Sequence, residues 1–94
     1  MERNQVEQIR NNLVAKFEEV GIECKWLMES GGIVMKRNGE VKISFSLRNE
    51  STFKNDVAKM KEIVSQSVTN SKVTISNQFN SSRPEGKVIV TINQ

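Results

Sequence analysis

Val6, Ile9, Leu13, Phe17 and Val20 recur at steps of three and four residues, with Glu7, Arg10, Asn11 and Glu18 on the other side. That period lays an apolar stripe along a helix, so it predicts a helix over about 3–20, closed by Gly21 as its C-terminal cap. The period then changes to two. Ile22, Cys24, Trp26 and Met28 alternate with Glu23, Lys25 and Glu29, as in a strand with one buried face. Gly31-Gly32 breaks the run, Ile33-Val34-Met35 begins a second strand, and Asn38-Gly39 signals a hairpin. Val41, Ile43, Phe45 and Leu47 then alternate with Lys42, Ser44, Ser46 and Arg48, which predicts a three-stranded antiparallel meander with Lys42 and Arg48 facing outward.

Ser51 and Thr52 offer N-cap oxygens for a second helix, whose stripe is Phe53, Val57, Met60, Val64 and Val68 and whose end is expected near Asn70. Val73, Ile75 and Phe79 mark a fourth strand. The polar stretch from Asn80 to Gly86 reads as a mobile loop, and Val88, Val90 and Ile92 as a closing strand. The expected order is α-β-β-β-α-β-β. Two helices on one face of a mainly antiparallel sheet make a two-layer α+β architecture.

Length and composition fit one domain over residues 1–94, without linker, repeat or low-complexity tract. A hydrophobic fraction of 36% with 27% charged residues belongs to a globular chain rather than a disordered one. Cys24 is the sole cysteine, so an internal disulfide is excluded. With no signal-like N-terminus, this places the expectation in a reducing compartment, the cytoplasm. No apolar run approaches the roughly 20 residues of a membrane helix, so no membrane partner is expected.

The chain contains no histidine, which removes the commonest general base, metal ligand and nucleophile activator at once. Cys24 falls on the apolar phase beside Trp26 and reads as a small buried hydrophobe. The acidic residues form no DxD or ExxH pattern, and the glycine pairs are turns rather than phosphate cradles. The expectation is a non-enzymatic binding domain with no cofactor and no metal.

Charge is uneven. Residues 1–35 sum to −2, residues 36–61 to +4 and residues 62–94 to +1. The basic middle supplies Lys36, Arg37, Lys42, Arg48, Lys54, Lys59 and Lys61, which are the candidate nucleic-acid-binding residues. Lys36 and Arg37 flank the hairpin tip, Lys42 and Arg48 share a strand face, and Lys54 and Lys61 share a helix face. The five aromatic residues all fall on core phases, so backbone contact with duplex RNA or DNA suits the chain better than base stacking.

The order α-β-β-β-α over residues 3–69 resembles the double-stranded-RNA-binding domain, and equally the HicA-type toxin fold. Ala58-Lys59 matches the last two positions of the Lys-Lys-x-Ala-Lys cluster with which the RNA-binding family opens its second helix. Asn55 and Asp56 stand where its paired lysines belong, and the strand histidine of a HicA-type nuclease has no counterpart. The first resemblance implies duplex binding; the second implies no nuclease activity here.

The alternative comes from another class: a protein-interaction module, such as a viral or mobile-element inhibitor or a homodimeric adaptor. Its device would be strand-edge pairing through the C-terminal strand, Lys87 to Ile92. The two readings separate on placement. Duplex binding requires the seven cations on one face, and the interaction module requires an open strand edge or an exposed apolar patch.

Overall fold

The computed structural model describes residues 1–24, 32–69 and 71–93. Helix α1 spans Arg3–Glu19 and buries Val6, Leu13 and Phe17. Its C-terminus closes as the glycine predicts. Gly21 takes a positive φ of 84°, its N–H donates to the Glu18 carbonyl at 3.0 Å, and the Ile22 N–H donates to the Phe17 carbonyl at 2.9 Å. This paired capping satisfies two of the helix's orphan carbonyls and drops Ile22 into the core.

Strands β1 (Ile33–Met35) and β2 (Val41–Leu47) pair antiparallel around the Asn38-Gly39 tip. The turn is not the two-residue type in which both central residues need positive φ, because only Gly39, at 89°, is left-handed there. The Gly39 N–H donates to the Lys36 carbonyl and the Lys36 N–H to the Glu40 carbonyl, which makes a three-residue loop. Asn38 contributes through its side chain instead, accepting from the Glu40 N–H at 3.0 Å.

Helix α2 spans Phe53–Ser67 and follows a 3-10 turn over Glu50–Thr52. Thr52 holds the N-cap position of α2 as expected, but its hydroxyl donates to Asp56 at 2.9 Å and makes no cap bond to the helix. Asn49 caps the preceding 3-10 turn by accepting from the Ser51 N–H. The helix ends three residues short of Asn70, at Ser67, because Val68 is already extended. Strands β3 (Lys72–Asn80) and β4 (Glu85–Asn93) form a long hairpin, and the anticipated loop shrinks to residues 81–84, since Asn80, Glu85 and Gly86 are ladder residues.

The sheet order is β1-β2-β4-β3, antiparallel throughout. Because β2 and β3 both run opposite to β4, they run parallel to one another. The β2-α2-β3 crossover is therefore a split unit with β4 inserted between its strands. Val41, Ile43, Phe45 and Leu47 of β2 align with Ile92, Val90, Val88 and Gly86 of β4 on the face that the helices cover. Phe17 of α1 meets Phe45 edge-on at 5.3 Å, and Phe53 of α2 meets Phe79 of β3 at 5.1 Å. All these side chains join one apolar cluster.

The α+β class, the two helices and the antiparallel sheet stand as expected, in the order α-β-β-α-β-β. The difference lies at the first strand. Ile22 to Cys24 belong to no strand, and Trp26 and Met28 lie outside the described residues. The C-terminal strand also needs correction. β4 is paired on both sides, so homodimerisation through it has no free edge to use. A continuous run of apolar residues near a chain end reads equally well as an edge or a centre; pairing alone decides which.

Candidate functional site

The seven predicted cations divide among separate surfaces. Lys36 and Arg37 lie at the β1–β2 turn, and Lys42 points from β2 to the face away from the helices, since its neighbours Val41 and Ile43 point toward them. Glu40 stands between two of these, with its carboxylate 3.8 Å from the Lys36 Nζ and 3.7 Å from the Lys42 Nζ. Exposed pairs contribute little to stability, but one carboxylate between two ammonium groups offsets much of the local positive field. Arg48 follows β2 into an open cleft whose lining includes Glu18, Glu23, Glu50, Asp56 and Glu85, though among the described residues it forms an ion pair with none of them.

Lys54, Lys59 and Lys61 are exposed on α2, in the other layer. They do not share one side of that helix. At about 100° per residue, Lys54 and Lys61 lie roughly 80° to one side of the buried Phe53–Val57–Met60–Val64 stripe. Ser67 lies to the opposite side and accepts from the Lys16 Nζ of α1 at 3.0 Å, so that flank faces α1. Lys59 belongs with the α1 side. Lys54 and Lys61 therefore line the flank over β3, and Lys54 borders a shallow depression shared with Glu50, Phe53 and Phe79. The structure brings Lys54 and Lys61 together, and Lys36 with Lys42 around Glu40; it does not gather the seven.

Cys24 lies in the acidic cleft, half-buried against the core. Burial and the nearby Glu18 carboxylate push its thiol up to about 11. The arrangement is the reverse of what an activated thiolate requires. Among the described residues, no three His, Cys, Asp or Glu side chains converge as metal ligands, and no helix is long and apolar enough to cross a membrane.

The surface that sequence reasoning missed is the outer edge of β3. Its hydrogen-bonding parity follows from the ladder. Lys36 bonds to Glu40 and Ser44 bonds to Gly32, so the even-numbered residues of β2 point their backbone groups at β1. Hydrogen-bonded and non-bonded pairs alternate in an antiparallel ladder, which passes the alternation across the sheet. Val41, Ile43, Phe45 and Leu47 point at β4, then Glu85, Lys87, Ile89, Thr91 and Asn93 of β4 point at β3. On β3, Lys72, Thr74, Ser76, Gln78 and Asn80 answer them. The backbone N–H and C=O groups of Val73, Ile75, Asn77 and Phe79 are left pointing outward.

Among the described residues, this edge lacks the usual guards. Its nine residues contain one charge, Lys72, and no proline, and the register to β4 runs without a bulge. Six of the nine residues are exposed, and the other three, Val73, Ile75 and Phe79, are half-buried apolar side chains on the helix side. A signal was available in the sequence, namely nine residues of strand-compatible composition with a single terminal lysine. Its meaning depended on which strand took the edge.

Compared with protein-family models, curated proteins and solved structures, the chain matches none of them.

Proposed function

We propose that this domain is a protein-interaction module that takes an extended segment of a partner onto the open edge of β3, acting by binding rather than by catalysis. The observation that carries the reading is the row of four outward N–H and C=O pairs at Val73, Ile75, Asn77 and Phe79, on a nine-residue edge without proline, bulge or internal charge. Such a row supplies main-chain hydrogen bonds to an added strand, while the half-buried Val73, Ile75 and Phe79 supply apolar surface for its side chains. This is the strand-pairing device anticipated for the interaction class, moved from the C-terminal strand to its hairpin partner.

Duplex binding through the basic middle has weaker support. Lys42 and the α2 lysines project from opposite layers, Lys36 and Lys42 share Glu40, and Arg48 lines a cleft that also holds five carboxylates. A rigid duplex contacts one face at a time, so its counterion-release term would draw on two or three of these cations rather than seven.

The test is a capture experiment from the native host using the wild-type chain and Asn77→Pro as baits, each with and without nuclease. Asn77 is exposed and its N–H points outward, so proline there removes an edge donor without breaking a ladder bond. Strand addition predicts a partner captured in the presence of nuclease and lost with Asn77→Pro. Capture abolished by nuclease and indifferent to Asn77→Pro would instead favour nucleic-acid binding.

A further inference from the structure

We infer that the β3 edge selects an acidic extended segment, with Lys54 and Lys61 of α2 as its charge-reading residues. This rests on the strand-addition reading and specifies the partner's chemistry. Lys54 and Lys61 are seven residues apart, about 10 Å along the helix axis, and both overhang the β3 side of α2. Among the described residues neither forms an ion pair. The outward groups from Val73 to Phe79 span about 20 Å beneath them. A strand added there alternates its side chains between the two faces of the sheet. Those on the helix side lie between the half-buried Val73, Ile75 and Phe79 and the overhanging ammonium groups. Carboxylates on that phase reach Lys54 and Lys61, whereas Lys72 points to the other face of the sheet.

The same geometry opposes a second copy of this chain as occupant. The backbone permits a two-fold pairing of β3 with itself, since Ile75 and Asn77 carry matching outward groups on either side of Ser76. That pairing sets α2 antiparallel to its own copy along their lysine-bearing flanks. Lys61 then faces Lys61 of the copy, while Glu50, which borders the same depression as Lys54, lies before the start of α2, eleven residues earlier in the chain. Like charges side by side discriminate against this partner, whereas an acidic strand meets the same lysines with attraction.

The test uses two end-capped, fluorescein-labelled octapeptides, one alternating Glu and Val and the other alternating Lys and Val, titrated by anisotropy against the full chain at low salt. The Glu peptide is expected to bind about tenfold or more tighter than the Lys peptide. The K54E/K61E double variant should reverse that order, and Asn77→Pro should abolish binding. If Asn77→Pro lowers the urea midpoint, Glu peptides N-methylated either on every Val or on every Glu replace it, and only one of the two isomers should bind. Equal binding of the two octapeptides, both lost with Asn77→Pro, overturns the charge selection and leaves strand addition standing. A Glu preference that survives Asn77→Pro and both N-methylated isomers overturns the proposal in favour of simple ion pairing. If neither peptide binds and sedimentation shows a dimer that Asn77→Pro dissociates, the second copy owns the edge. If neither binds and the chain is monomeric, both the selection and the strand-addition reading fall.

Discussion

Gly86 offers the sharpest test of how the core is built. It is a β4 residue paired with Leu47 on one side and Phe79 on the other, and its missing side chain points toward the helices. A Cβ built there lies 2.6 Å from Phe53 Cδ1 and 2.8 Å from Phe79 Cδ2, and Phe53 Cε1 is also in its path. Ordinary carbon–carbon contact needs about 3.5 Å or more, so Gly86→Ala must displace both rings of the edge-on Phe53–Phe79 pair. Overpacking of this kind costs about 1–3 kcal/mol, and disturbing the ring pair adds to it. In the other direction, alanine in a strand is favoured over glycine by roughly 0.5–1 kcal/mol through chain entropy. The net is a loss of about 1–2 kcal/mol, where an unobstructed strand glycine would give a gain. With a urea m-value of about 1.5 kcal/mol/M, the midpoint should fall by about 1 M. Phe53→Leu in the Gly86→Ala background should cost less than Phe53→Leu alone, because the smaller side chain relieves the clash. A Gly86→Ala midpoint equal to or above wild type would refute this packing.

Three further outcomes follow from the same structure. Asn49→Ala should destabilise by about 1 kcal/mol in urea titration, and Thr52→Ala by less, because Asn49 caps the turn leading into α2. Equal effects would return the cap to Thr52. Phe17→Leu and Phe45→Leu should couple in a double-mutant cycle by about 0.5–1.5 kcal/mol, since their rings meet edge-on at 5.3 Å in the centre of the core; additivity would deny the contact. Cys24 should resist a thiol reagent at pH 8, with about a hundredfold less thiolate than an unperturbed thiol, until urea unfolds the chain. Its folded value near 11 lies above the unfolded value near 9.0, so its contribution to stability is complete below pH 9 and is lost as pH rises toward 11. Cys24→Ala should flatten that part of the pH profile.

Periodicity alone determined most of the elements. The three-and-four spacing of Val6, Ile9, Leu13 and Phe17 and of Phe53, Val57, Met60 and Val64 is a local property of a helix with one buried side. Ile9 is half-buried and the other seven are buried, whereas Val20, expected on the same stripe, caps the helix and is exposed. The alternation in β2 and β4 is likewise local, as is the left-handed Gly21 that ends α1. Gly86 shows the limit. Beside Pro84 it reads as a breaker, yet it is a strand residue whose lack of a side chain makes room for Phe53 and Phe79, which are 33 and 7 residues away.

Strand order was beyond local reasoning for the same reason. Nothing within Lys72–Asn80 or Glu85–Asn93 states which of the two pairs with β2, because that choice depends on the α2 crossover and on which hairpin face fits beneath the helices. The choice puts Val88, Val90 and Ile92 at the centre and leaves Val73, Ile75, Asn77 and Phe79 with outward backbone groups. The charges follow the same rule. Lys36 through Lys61 is one basic stretch in the chain, and folding sends it to a turn, an outer sheet face, an acidic cleft and two flanks of a helix. The sequence by itself determined most of the helix, strand and core residues, since those follow from spacing along the chain. Only the tertiary structure decided that β3 stands at an edge of the sheet and which cations lie beside it, because those depend on pairings between distant segments.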